Sequence, residues 1–138
     1  MKQKVVISLA CVLIAIPFLP GCGGEKYADV EQASNQWVSA MEGYTTALDK
    51  AANAQDVAKA TNQFADKMEK LTPTMQKLSD KYPELKNNQN PPEPLKKVQS
   101  RMEEAGKKMM ASMMKAAPYM NDPEVQKAQQ RLDSLKMD

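Results

Sequence analysis

The sequence predicts an all-α protein, an antiparallel bundle of three long helices followed by one short C-terminal helix. Three observations carry that expectation. Beyond residue 21 the chain has no isoleucine and only five valines, so a β-sheet has little to be built from, while the helix formers Ala, Met, Lys, Gln and Leu abound. Apolar residues recur at alternating steps of three and four, the spacing of one helix face. Capping and turn residues fall between these stripes rather than within them.

The first stripe is Val30, Ser34, Trp37, Met41, Tyr44, Leu48 and Ala51, which predicts a helix over 27–52. Asn53 is placed to cap the next helix, with Asp56 at its third position. That second helix, 54–82, carries Val57, Thr61, Phe64, Met68, Leu71, Met75, Leu78 and Tyr82 on one face. Pro73 interrupts it, yet the stripe stays in register, so a kink is expected rather than a break. The run Asn87-Asn88-Gln89-Asn90-Pro91-Pro92 is the clearest loop. Leu95, Val98, Met102, Ala105, Met109 and Met113 then mark a third helix over 93–119, with Pro94 in its first turn. Asp122-Pro123-Glu124 reads as cap, first-position proline and first-turn acid for a last helix over 123–136, striped by Val125, Ala128, Leu132 and Leu135. Each of the first three helices is long enough to pair along its whole length, and residues 27–138 form one domain.

The first 21 residues stand apart. Lys2 and Lys4 precede an uncharged apolar run from Val5 to Leu19, and Pro20, Gly21 and Cys22 follow. This is the layout of a secretory signal peptide, too short for a comfortable membrane span. The ending Leu19-Pro20-Gly21-Cys22 resembles the lipobox of bacterial lipoproteins, with Pro20 where a small or hydroxyl residue is commoner. The resemblance implies cleavage between Gly21 and Cys22 and a covalent lipid (diacylglycerol, with palmitate-type acylation) on the Cys22 thiol. Residues 1–21 are then the lipoprotein signal peptide and 22–26 a lipidated tether. Beyond the lipobox the chain resembles the small helical lipoproteins of Gram-negative bacteria, which implies a cell-envelope, periplasm-facing protein with the membrane as partner through its anchor. Gly23 in place of an aspartate after the cysteine favours the outer membrane over the inner.

Loss of the signal changes the charge and cysteine arithmetic. The full chain has 19 bases and 17 acids; without Lys2 and Lys4 it balances at 17 each. A neutral chain is a poor nucleic-acid binder, so no nucleic-acid partner is expected. Cys11 leaves with the signal and Cys22 is used, so no internal disulfide can form.

The sequence excludes most chemistry by omission. It contains no histidine, which removes Ser-His and Cys-His nucleophile pairs, Glu-x-x-His di-iron sites and covalent haem attachment. A Ser-Lys dyad is the arrangement the composition still allows, and it requires a serine beside a lysine of depressed pKa. The expectation is therefore a non-enzymatic protein with no catalytic residues, no metal and no cofactor beyond the lipid on Cys22. Its role would be contact with an envelope protein or an envelope structural part near the membrane.

One segment suggests an alternative. Met109, Met110, Met113 and Met114 form two i,i+4 pairs on the third helix, and thioether sulfur is a soft donor suited to Cu(I). The alternative is thus a soft-metal or small-ligand carrier. The plainer reading is a broad buried face packed against the second helix, since Met fills irregular gaps. A third is an exposed partner-binding face flanked by Lys107, Lys108 and Lys115, with Glu103 and Glu104 diluting the charge. Trp37 and Tyr44 are read as core.

Overall fold

A computed structural model describes residues 26–86 and 90–135. It contains four α-helices: α1 (Ala28–Lys50), α2 (Ala54–Lys81), α3 (Glu93–Ala116) and α4 (Pro123–Asp133), with 3-10 turns at Pro83–Leu85 and Ala117–Tyr119. No strand occurs among the described residues. The expectations for the signal, for Gly21 and for Cys22 concern residues outside the described ones.

The expected punctuation is present. Asn53 Oδ1 accepts from the Asp56 backbone N–H at 2.9 Å, and Asp56 Oδ2 accepts from the Ala52 N–H at 3.1 Å, so two otherwise unpartnered donors are satisfied reciprocally. Asp122 caps α4 through the Glu124 N–H at 2.9 Å, with Pro123 behind it. The helix α2 continues through Pro73. Just before it, the Thr72 hydroxyl donates to the Met68 carbonyl at 2.8 Å. Pro73 itself is exposed, where its ring meets no neighbouring helix.

Helix α1 is the spine. The three-residue break after Lys50 folds α2 back against it, antiparallel, so that Tyr44 meets Phe64 and Tyr27 meets Tyr82. Its other flank carries α3, which runs parallel to α1: Arg101 donates to Asn35 Oδ1 at 2.8 Å, and further along Ser112 and Lys115 both donate to Asp49 Oδ1. In turn α4 lies along the first half of α2 and parallel to it, with Arg131 donating to Asp66 and Glu69. Consecutive helices therefore alternate in direction, and α3 and α4 each lie parallel to the helix they mainly pack on. One expectation is corrected: α3 packs on α1 and not on α2. The segment from Tyr82 to Pro92 is long enough to carry the chain across the end of the bundle instead of turning a tight hairpin.

That arrangement widens the buried arc of α1 beyond a single stripe. Val38, which lies off the predicted stripe, is fully buried, as are Ala33, Ala40 and Thr45 to 9% exposure or less, because α2 and α3 cover two adjacent faces. On α2, burial is complete from Val57 to Met68 and then relaxes. Leu71, Met75 and Leu78 are only half-buried, because the 11 residues of α4 span about 16 Å and stop short of them. No helix among the described residues is long and apolar enough to cross a membrane.

The contrast between methionines makes the packing testable. Met68 is fully buried and Met110 is 68% exposed. In urea unfolding, Met68→Ala should cost about 2–5 kcal/mol, and Met110→Ala should stay within about 0.5 kcal/mol of the parent. Equal effects would contradict this core.

Candidate functional site

Between the four helices runs an apolar slot of about 470 Å³. Its existence follows from the topology: α3 and α4 rest on different helices and make few contacts with each other. From α1 come Trp37, Met41 and Tyr44, and from α2 comes Phe64. Met109 and Met113 face it from α3, and Leu132, Asp133 and Leu135 close the remaining side at the end of α4.

The wall on the α1–α2 side is rigid. Tyr44 and Phe64 stack with centroids 4.7 Å apart and planes 10° from parallel. Thr61 Oγ1 donates to the Val57 carbonyl at 2.9 Å, which uses its proton, so the Tyr44 hydroxyl is the donor in its 3.2 Å bond to Thr61. Burial pushes the Tyr44 phenol above its ordinary pKa, with the Thr61 bond offsetting part of that rise. The wall on the α3 side is soft. The terminal methyl of Met41 lies 3.7 Å from where a Cβ on Gly106 would stand, one turn before Met109. Thioether side chains of this kind adapt to irregular contents.

The four methionines singled out in the sequence are therefore divided. Met109 and Met113 line the slot, half-buried, whereas Met110 and Met114 are 68% and 74% exposed on the outer side of α3. They do not form one face against α2, because α2 is not the neighbour of α3. Instead Met41 of α1 joins Met109 and Met113. The lysines beside the exposed pair are partly neutralised: Lys108 pairs with Glu104 at 2.7 Å and Lys115 with Asp49 at 2.8 Å. Trp37, expected in the core, lies at the slot and stays half-buried, while Tyr44 is core. Every described lysine is solvent-exposed, and the lysines whose pKa departs from the ordinary value are raised, the reverse of what a Ser-Lys nucleophile needs. A larger groove of about 730 Å³ runs over the outside of α1 and α2 past Gln32, Gln36, Lys67 and Lys70, but it is open and touches two helices only.

Compared with known protein families, curated proteins and solved structures, the chain matches none of them.

The second built feature lies where the tether would join the bundle. Tyr27 has a left-handed backbone (φ 78°), which costs a bulky residue free energy and persists only when its surroundings hold it. Here they do. Tyr27 is 8% exposed, its ring tilts against Tyr82 at 5.1 Å, and its hydroxyl donates to Glu84 at 3.0 Å. Next to it Lys81 and Tyr82 both donate to Asp29, at 2.6 and 3.0 Å. The start of α1 is thus clasped to the end of α2.

The clasp has a pH window. The Lys81 ammonium, then the Tyr82 hydroxyl, hold the Asp29 carboxyl below the usual carboxylate range, and Asp29 in turn raises Lys81. A depressed carboxyl pKa stabilises the fold above the unfolded value of about 4, and this is lost as pH falls through the lower folded value. The raised lysine stabilises below its unfolded value of about 10.4, and this is lost as pH climbs through the higher folded one. Thermal unfolding between pH 7 and pH 2 should therefore fall less steeply for Asp29→Asn than for the parent. Parallel curves would show that the clasp contributes nothing.

Proposed function

We propose that this protein is a lipid-anchored, non-enzymatic helical bundle of the bacterial envelope, held by a lipid on Cys22 and working by contact at the membrane surface. The observation that carries the reading is the short reach from Cys22 to the clasp. Lys26 begins the described chain four residues on, a span of at most roughly 15 Å, and Tyr27 is fixed to the end of α2. An anchor at Cys22 would keep the α1–α2 clasp close to the lipid headgroups, facing the periplasm, with the outer membrane favoured by Gly23. A partner within reach would be another envelope component near the same surface. The exposed Met110 and Met114 offer it adaptable apolar contact. The absence of histidine and the outward placement of the described lysines support a non-enzymatic role.

A second reading is favoured by the slot: carriage of a small ligand. Thioethers, aromatic rings and leucines line it together, which suits an apolar molecule better than a Cu(I) site built from sulfur alone.

The anchor is tested by Cys22→Ala. The variant should lose metabolic labelling with tritiated palmitate and move from the membrane to the soluble fraction. Labelling and membrane retention equal to the parent would overturn the lipoprotein reading.

A further inference from the structure

We propose that the slot binds an aliphatic chain ending in a protonated amine, an inference that rests on the small-ligand reading and specifies its cargo. Two observations point to that chemistry. The slot is apolar along its length, with Trp37, Phe64 and the thioethers of Met41, Met109 and Met113 giving an adaptable wall for an alkyl chain. Asp133 is the single charged residue lining it, exposed at the end of α4, and it forms no ion pair with any described residue.

The Asp133 carboxylate accepts hydrogen bonds and is negative. An ammonium head supplies donors and the complementary charge in one group. A carboxylate or sulfate head brings neither and is repelled by Asp133. An uncharged hydroxyl head can donate but gains no charge attraction, so it ranks between them. The described lysines offer no cation to the slot lining that would reverse this order.

The chain has one tryptophan, and it lines the slot, so binding is read directly from Trp37 fluorescence. The full chain carrying Cys22→Ser, in detergent-free buffer, is titrated below micellar concentrations with three probes that share a terminal bromine quencher. These are 12-bromododecylammonium, 12-bromododecanol and 12-bromododecanoate. The ammonium probe should quench Trp37 saturably with an affinity about tenfold above that of the carboxylate, because attraction for one head and repulsion of the other act in the same direction. Asp133→Asn should bring the two within about twofold and leave the alcohol unchanged. Met113→Phe, which fills the slot, should abolish quenching, and Met110→Phe, outside it, should not.

The failures are distinguishable. If no probe quenches saturably, or Met113→Phe quenches like the parent, the small-ligand reading itself is overturned. If all three quench alike, or the ammonium preference survives Asp133→Asn, the slot takes apolar molecules but the amine assignment is wrong.

Discussion

Everything in this structure depends on α1 being buried on two adjacent faces. A helix in a simple hairpin needs one apolar stripe; α1 supplies an arc wide enough to receive α2 on one flank and α3 on the other, with Val38 fully enclosed and Met41 and Leu48 nearly so. The small residues Ala33, Ser34 and Ala40 make this possible by letting neighbouring helices approach closely. Polar groups then fix the register at the seams. Ser112, 2% exposed, donates to Asp49, whose carboxyl Lys115 holds below its ordinary range, and Arg101 meets Asn35 and Glu42. The ion pairs lie at the surface and contribute little stability each, but with the bond from buried Ser112 they are incompatible with a shifted alignment.

The remaining features follow from that spine. With α3 on α1 and α4 on α2, the second layer is supported from below and not by its own contacts, so a gap opens at its centre. The gap is filled partly by side chains that tolerate imperfect packing, Met41, Met109 and Met113, and the rest is the slot. A leucine or isoleucine core would leave less room for adaptation there. Beyond Met68 no described helix fills the fourth corner of the bundle, which leaves Leu71, Met75 and Leu78 half-covered. The end of α2 is held instead by Tyr82, whose ring tilts against Tyr27 and whose hydroxyl donates to Asp29.

Local order was legible in the sequence to a degree that pairing was not. The caps at Asn53 and Asp122, the passage of α2 through Pro73 and the helix limits within a few residues all follow from signals that act over one turn. Pro83 ends α2 as its position suggests. Which helix lies beside which depends on the route of residues 82–92, and no periodicity encodes that route. For this reason the stripes at Met41 and at Met109 and Met113 were visible but their convergence was not, and the plainer reading of Met110 and Met114 set them against α2, which is not the neighbour of α3. Val38 escaped because a single-stripe reading has no place for a residue that points between two partners. Asp133 carries no sequence signal at all: it is an ordinary polar residue on a short helix, and only its position beside the slot gives it meaning.

The central claim is the parallel placement of α3 on α1, and pulsed electron spin resonance on paired labels tests it directly. In a Cys11→Ser/Cys22→Ser background, one label at position 35 is combined with a second at either 101 or 115. The parallel arrangement predicts a short separation for 35 with 101, and one roughly 20 Å longer along the helix axis for 35 with 115, at 1.5 Å per residue. The reverse order, 115 near and 101 far, would mean an antiparallel α3, and the spine and the slot would both be wrong.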